Sequence, residues 1–314
     1  MIVTVTLNPA LDKTAGVDVM RPYALNRLRG VQVDAGGKGV NVSAMIHALG
    51  GESVATGFAG GGAGEELLRR LTLKGIRHDF VRVSSVTRTN LKVVDDAGGL
   101  TELNEPGPEI KTEEFAQLQE KLAGFAKPGN IFVLSGSLPR GLSSGVYREL
   151  CAMLRQSGAG VFLDADGDAL EAALDTKLVP DYIKPNRYEL LNLFGMEARG
   201  AVTEADLTDL CLRLRGRGVK LVALSLGSEG ALFAGRDGVL RSPALPVKVG
   251  STVGAGDSMV GALVYGFEQG LSGEDCCVLA MAASAGACTT EGTNPPSRAL
   301  VDELVKQVSL QKTS

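Results

Sequence analysis

The sequence is poor in several residues on which familiar chemistries depend. Its 314 residues include two histidines, no tryptophan and five cysteines, and only 4% are aromatic. With His47 and His78 alone, a multi-histidine zinc site and a Ser-His-Asp triad are both nearly excluded. The cysteines (Cys151, Cys211, Cys276, Cys277 and Cys288) are odd in number and show no CxxC spacing. That argues for a reducing compartment and for small buried apolar side chains rather than disulfides. Basic charge is not in excess: 32 Lys+Arg face 36 Asp+Glu, a net charge of −4 with no basic tail. A nucleic-acid partner is therefore not expected. No apolar run approaches the ~20 residues of a membrane-spanning helix. Met1-Ile2-Val3-Thr4-Val5-Thr6 lacks the basic start of a signal peptide and reads as a strand. The expected setting is cytoplasmic, away from any membrane.

What the chain does have is glycine, 41 residues without a collagen-like period, which suits many tight strand–helix turns. A chain of this length buries roughly 75% of its unfolded surface and needs no covalent staple. Length alone allows two units of about 150 residues or one large α/β domain. Ile2–Leu7, Val54–Ala59, Ile131–Ser135, Val161–Asp164, Tyr182–Lys184 and Lys220–Ser225 are short apolar runs. Between them, Val40–Leu49, Glu65–Lys74, Val146/Leu150/Met153/Leu154 and Leu207/Leu210/Cys211/Leu214 read as helices. The C-terminal third reads as mostly helical, over roughly 255–269, 274–290 and 297–309. Continuous apolar strands alternating with helices predict a doubly wound, mainly parallel α/β sheet covered on both faces. Two stretches, about 12–35 and 87–104, break that rhythm with alternating antiparallel strands. They predict a small antiparallel β-sheet lid inserted into one domain spanning 1–314, since no linker separates two units.

Chemistry concentrates in four segments. In Ser251-Thr252-Val253-Gly254-Ala255-Gly256-Asp257-Ser258, which leads into an amphipathic helix, Gly254, Ala255 and Gly256 bring unpaired N–H groups to the helix N-terminus. It is neither the GxGxxG dinucleotide fingerprint, because Met259 stands at the third glycine, nor a GxxxxGK[ST] P-loop. Asp257 would repel a phosphate cradled there unless its task is to take a proton from an attacking hydroxyl; the plain alternative is a helix-dipole acid. Asp34-Ala35-Gly36-Gly37-Lys38-Gly39-Val40-Asn41 offers backbone donors, a lysine and an amide that suit a polyol or phosphorylated sugar, or simply makes a tight connection. Lys184-Pro185-Asn186-Arg187-Tyr188-Glu189 places Asn186 and Glu189 on one side of a helix start. The pair would hold Mg²⁺ through water or act as a cap. Ser225-Leu226-Gly227-Ser228-Glu229-Gly230 follows a buried strand and reads as a nucleotide loop or a hairpin turn.

Taken in order, these segments resemble the ribokinase-like (PfkB) carbohydrate kinase family across essentially the whole chain. Thr6-Leu7-Asn8-Pro9-Ala10-x-Asp12, Thr87-Arg88-Thr89-Asn90 and Ser135-Gly136-Ser137-Leu138-Pro139 resemble its phosphosugar branch, fructose 1-phosphate kinases first and tagatose 6-phosphate kinases next. The resemblance implies Asp257 as general base and Gly254, Ala255 and Gly256 as anion hole. It implies ATP held by Lys184, Asn186 and the 225–230 loop, and Mg²⁺ placed by Asn186 and Glu189. Asp12, Gly37 and Asn41 would bind sugar hydroxyls, and Lys38 and Arg88 the phosphate of the acceptor. The implied reaction is ATP-dependent phosphorylation of fructose 1-phosphate at its 6-hydroxyl. Tagatose 6-phosphate or fructose 6-phosphate as acceptor, and a non-catalytic phosphosugar or nucleotide sensor, are the alternatives. Lids in this family often pair into homodimers, and some members bind a monovalent cation beside the anion hole.

Overall fold

The computed structural model describes residues 1–196 and 202–313. Strand β1 (Ile2–Thr6) is a wholly buried run, IVTVT. After it come β2 (Ala10–Val17), β3 (Arg29–Gly36), α1 (Lys38–Ala48), β4 (Ser53–Ala59) and α2 (Gly61–Leu73). Two-residue strands β5 (Arg77–His78) and β6 (Val81–Arg82) precede the hairpin of β7 (Arg88–Asp95) and β8 (Leu100–Asn104). The chain continues through α3 (Thr112–Phe125), β9 (Ile131–Ser135), α4 (Val146–Gln156), β10 (Gly160–Asp164) and α5 (Gly167–Leu174). Next are β11 (Tyr182–Ile183), α6 (Arg187–Leu193), α7 (Glu204–Gly216), β12 (Leu221–Ser225), β13 (Ala231–Gly235) and β14 (Gly238–Ser242). Helices α8 (Ala255–Glu268), α9 (Gly273–Ala287) and α10 (Arg298–Val305) and strand β15 (Gln311–Lys312) complete it.

Among the described residues eleven strands form one sheet, ordered β15-β14-β13-β12-β11-β10-β9-β1-β4-β5, with β6 beside β4. Pairing is parallel from β4 across to β12 and antiparallel from β12 to β15. Successive residues of a strand point to opposite faces. Phe132 and Leu163 accordingly enter one core with Tyr147, Leu150 and Leu210. Their neighbours Val133 and Phe162 enter the other, with Met45, Ile46, Val260 and Leu263. Burial on both faces explains why these strands read as continuous apolar runs. The expected doubly wound, mainly parallel α/β sheet is present.

A second sheet has four strands in the order β3-β2-β7-β8. Its two hairpins are antiparallel, as expected, but the seam between them is parallel, pairing Ala10 with Arg88 and Asp12 with Asn90. Both excursions leave the main sheet at the same end, so their first strands run in the same direction. The helix predicted from Glu65 starts at Gly61. Tertiary packing overrides glycine's low propensity there, for a Cβ on Gly64 would lie 3.0 Å from the Ala59 backbone. The C-terminal third holds more strand than expected, because β13 and β14 form a hairpin with little β-branched signal; α9 and α10 also end earlier, at Ala287 and Val305. Cys151, Cys211, Cys276 and Cys277 are buried, Cys288 is partly exposed, and all five are free. No helix among the described residues is long and apolar enough to cross a membrane.

Candidate active site

The carboxyl ends of the parallel strands meet on one side of the main sheet. Thr6, Asp164 and Ser225 close β1, β10 and β12, while Gly136 follows β9 and Lys184 follows β11. In an open α/β sheet this is where the ligand crevice forms. The lid stands over these ends, and the two enclose a cleft of about 470 Å³.

Its floor is the start of α8. Gly254 adopts the left-handed conformation (φ 81°), which a side chain disfavours, and this turns the chain into the helix. The Ala255 amide donates to the Thr252 carbonyl at 3.3 Å, and Ser258 donates to Gly254 at 2.9 Å. Among the described residues the amides of Gly256 and Asp257 have no backbone acceptor. With the helix dipole behind them, they offer a site for an anion. Lys184 lies over this turn: a Cβ on Gly256 would come within 3.2 Å of its Nζ. Gly254, Gly256 and Asp257 line the cleft, whereas Ala255 does not.

Asp257 is 8% exposed, and its Oδ2 accepts from Asn41 Nδ2 at 2.7 Å. Burial pushes its pKa up to about 6, reinforced by the charge of Asp164 and opposed by the Asn41 hydrogen bond and by Lys38 and Lys184. A carboxylate poised there both ionises near neutrality and retains enough basicity to accept a proton. Beside it, the buried Asp164 meets two ammonium groups, Lys38 at 3.3 Å and Lys184 at 3.5 Å. Burial alone would lower the pKa of Lys38, but Asp164, Asp257, Glu189 and Asp166 outweigh it and raise it.

The lid supplies the opposite wall. Arg88 donates to the carbonyls of Asn8 (3.0 Å) and Glu105 (3.3 Å). Burial lowers its pKa, against the pull of Asp12 and Glu105. Asp12 accepts from Asn90 at 2.9 Å and lies 3.4 Å from Lys92 Nζ. Glycine at position 36 leaves it room, since a Cβ there would lie 2.5 Å from Asp12 Oδ2 and push the carboxylate aside.

The structure therefore brings Asp12, Gly37, Lys38, Asn41, Arg88, Lys184, Asn186, Glu189 and Asp257 to one cleft. Asn186 and Glu189 form the capping box of α6, Asn186 Oδ1 accepting from the Glu189 amide (2.9 Å) and Glu189 Oε2 from the Asn186 amide (2.8 Å). Burial raises the pKa of Glu189. Of the 225–230 segment, Ser225 lines the cleft and Leu226 is buried. Gly227–Glu229 is a 3-10 turn joining antiparallel β12 and β13, with Gly230 capping it, so the hairpin reading describes its backbone. Glu229 pairs with Arg187 at 2.8 Å. Asn90 and Ser137 stand in the sequence motifs without an assigned role, and Lys92, Asp164 and Thr293 are not singled out there as site residues; all five line the cleft. The alternation Arg88-x-Asn90-x-Lys92 was a legible signal; the strand-end Asp164 carried none outside the fold.

Residues 5–300 match the model of the pfkB family carbohydrate kinases. The chain belongs to that family. It is 40% identical to a 1-phosphofructokinase of Xanthomonas campestris pv. campestris over 90% of this chain and 89% of the relative. It is 30% identical to a tagatose-6-phosphate kinase of Staphylococcus epidermidis over 99% of each. Phosphofructokinase-2 of Escherichia coli, solved in complex with potassium and in complex with substrates and products, superposes with TM-scores of 0.91 and 0.92, at 32% identity and 98% coverage of both chains.

Proposed function

We propose that this carbohydrate kinase transfers the γ-phosphoryl group of ATP to the 6-hydroxyl of fructose 1-phosphate, giving fructose 1,6-bisphosphate and ADP. The observation that carries the reading is the joint placement of Asp257, beside open helix-terminal amides, and Arg88, whose guanidinium is held by carbonyls rather than by a carboxylate, in one cleft. Asp257 accepts the hydroxyl proton as the sugar oxygen bonds to phosphorus and the bond to the ADP oxygen breaks. The Gly254–Gly256 turn and the amide of Asp257 stabilise the charge on the transferred group, and Lys184 stands beside them. Asp12, Gly37 and Asn41 orient the sugar. Arg88, with its planar fork suited to phosphate oxygens, and Lys38 receive the acceptor's own phosphate.

Mg²⁺ ordinarily keeps several waters and shares carboxylates with substrate phosphates. The cleft fits that habit in its donor chemistry: Asn186 and the half-buried Glu189 line it and offer hard oxygen donors. Asn186 and Glu189 would hold Mg²⁺ through water, where it neutralises phosphate charge. A monovalent cation beside the α8 turn belongs to this reading; that the E. coli relative was solved in complex with potassium supports a bound cation, without giving its position. The reading takes the chain as one cytoplasmic catalytic unit whose lid pairs with a second copy. Tyr23, Leu25, Leu28, Val31, Leu100 and Leu103 leave that lid apolar and exposed. An ADP-release assay across fructose 1-phosphate, tagatose 6-phosphate, fructose 6-phosphate, ribose and adenosine tests the assignment. Fructose 1-phosphate is expected to give the highest kcat/KM, and a preference for tagatose 6-phosphate would move the protein to the neighbouring specificity.

A further inference from the structure

Resting on the reading of the acceptor as a phosphorylated ketohexose, we propose that Lys92 determines specificity, admitting a phosphate-bearing sugar by cancelling the charge of Asp12. Side chains alternate along β7, so Arg88, Asn90 and Lys92 share one face, and all three line the cleft. The parallel seam pairs Asp12 with Asn90 and Thr14 with Lys92. Asp12 is thereby met twice from the neighbouring strand, by the Asn90 amide on Oδ1 at 2.9 Å and by the Lys92 ammonium on Oδ2 at 3.4 Å. The side chains of Lys92 and Asp12 are 10% and 9% exposed, so the pair is withdrawn from bulk water.

Burying an ammonium costs desolvation that a single ion pair does not reliably repay. Its presence here has a reason in the charge of the lid. A bare buried Asp12 would offset Arg88 and leave no net positive charge on this wall for an incoming phosphate. With Lys92 these three cleft-lining groups carry one net positive charge; Glu105, the other carboxylate acting on Arg88, is exposed to solvent and lies outside the cleft lining, where water screens it. Lys38, which shares the acceptor's phosphate with Arg88 on this reading, has its charge opposed by Asp164 at 3.3 Å and so adds little net positive charge. The preference for a phosphorylated acceptor therefore depends on Lys92 without requiring it to touch the phosphate. It is a positioning residue that acts through Asp12.

The test is Lys92→Met in the full chain, with KM and kcat for fructose 1-phosphate, KM for ATP and turnover of unphosphorylated fructose. The KM for fructose 1-phosphate is expected to rise about 10–100-fold, the order for one uncancelled unit charge acting across several ångströms of a partly buried site. The kcat, the KM for ATP and the turnover of fructose change little, and Lys92→Arg restores the KM. Lys92→Gln serves in the same assays should the Met variant not fold. Inorganic phosphate, as a competitive inhibitor, should bind Lys92→Met/Asp12→Asn more tightly than Lys92→Met, because the bare carboxylate has gone. A purely structural lysine predicts no such recovery. An unchanged preference for fructose 1-phosphate over fructose in Lys92→Met, or equal losses for acceptor and ATP, overturns this assignment and leaves the kinase reading intact. A wild-type enzyme that prefers ribose or adenosine to every phosphosugar overturns both.

Discussion

The two sheets are built from the same backbone pattern and put to opposite uses. The main sheet is apolar on both faces, with Phe132, Val133, Phe162 and Leu163 dividing between two cores, and its contribution to the site is largely the position of its strand ends and the backbone of α8. The lid is apolar on one face, where Leu11 and Ala35 meet Leu67 and Leu71 of α2. Toward the cleft it is ionic, with Arg88, Asn90, Lys92 and Asp12. On the proposed reading, phosphoryl transfer rests on one carboxylate, Asp257, beside main-chain amides that side-chain substitution leaves in place, and acceptor choice rests on several lid side chains that can be exchanged one at a time. Specificity is the more changeable property of this architecture.

That contrast can be broken at either end. Asp257→Asn should lower kcat by roughly 10²–10⁴-fold, the range for loss of a general base, with the fold unchanged by circular dichroism; near-normal turnover would remove Asp257 from the mechanism. Phe132→Ala, in the main sheet, should cost about 3–5 kcal/mol in denaturant unfolding, against roughly 0.5 kcal/mol or less for Leu103→Ser on the exposed lid surface. If the lid pairs two copies, Leu103→Ser should instead shift sedimentation toward monomer, and an unchanged sedimentation profile would count against pairing there. Arg88→Ala should raise the KM for the phosphosugar about 10–100-fold with a small change in the KM for ATP; equal losses would mean a general structural role.

The smallest effect is the most specific. The pKa of Asp257 rises on folding to about 6, so the folded chain holds this proton to higher pH than the unfolded chain does. Ionising Asp257 therefore costs stability as pH rises through the window from its ordinary value to about 6, and the cost is complete above it. Asp257→Asn should raise the Tm at pH 8 and leave it little changed at pH 4. If Asp257 is the proton acceptor, kcat/KM should also fall as pH drops below about 6. A wild-type profile flat through that region would contradict the assigned role.

Local signals were legible wherever structure and chemistry were local. The 3.6 period of α1 and α7, the apolar runs of β1 and β9, and the Gly254–Asp257 turn into α8 all follow from neighbours in the chain. The boundaries that shifted, at Gly61 and in the β13–β14 hairpin, are places where packing overrules propensity. Asn186 and Glu189 illustrate the limit differently, because one spacing served both as a cap and as a cleft-facing pair.

The order of residues alone determined the alternation of strand and helix, the glycine-rich helix start and the nature of the groups available, since each depends on backbone preference and spacing within a few positions. Only the folded chain decided their partnerships. Asp164 joins Lys38 to Lys184 across 126 and 20 positions of sequence, and Lys92 reaches Asp12 across 80. Charge pairing falls off with distance in space rather than along the chain, so which cation is neutralised, and which is left for substrate, is a property of the tertiary structure.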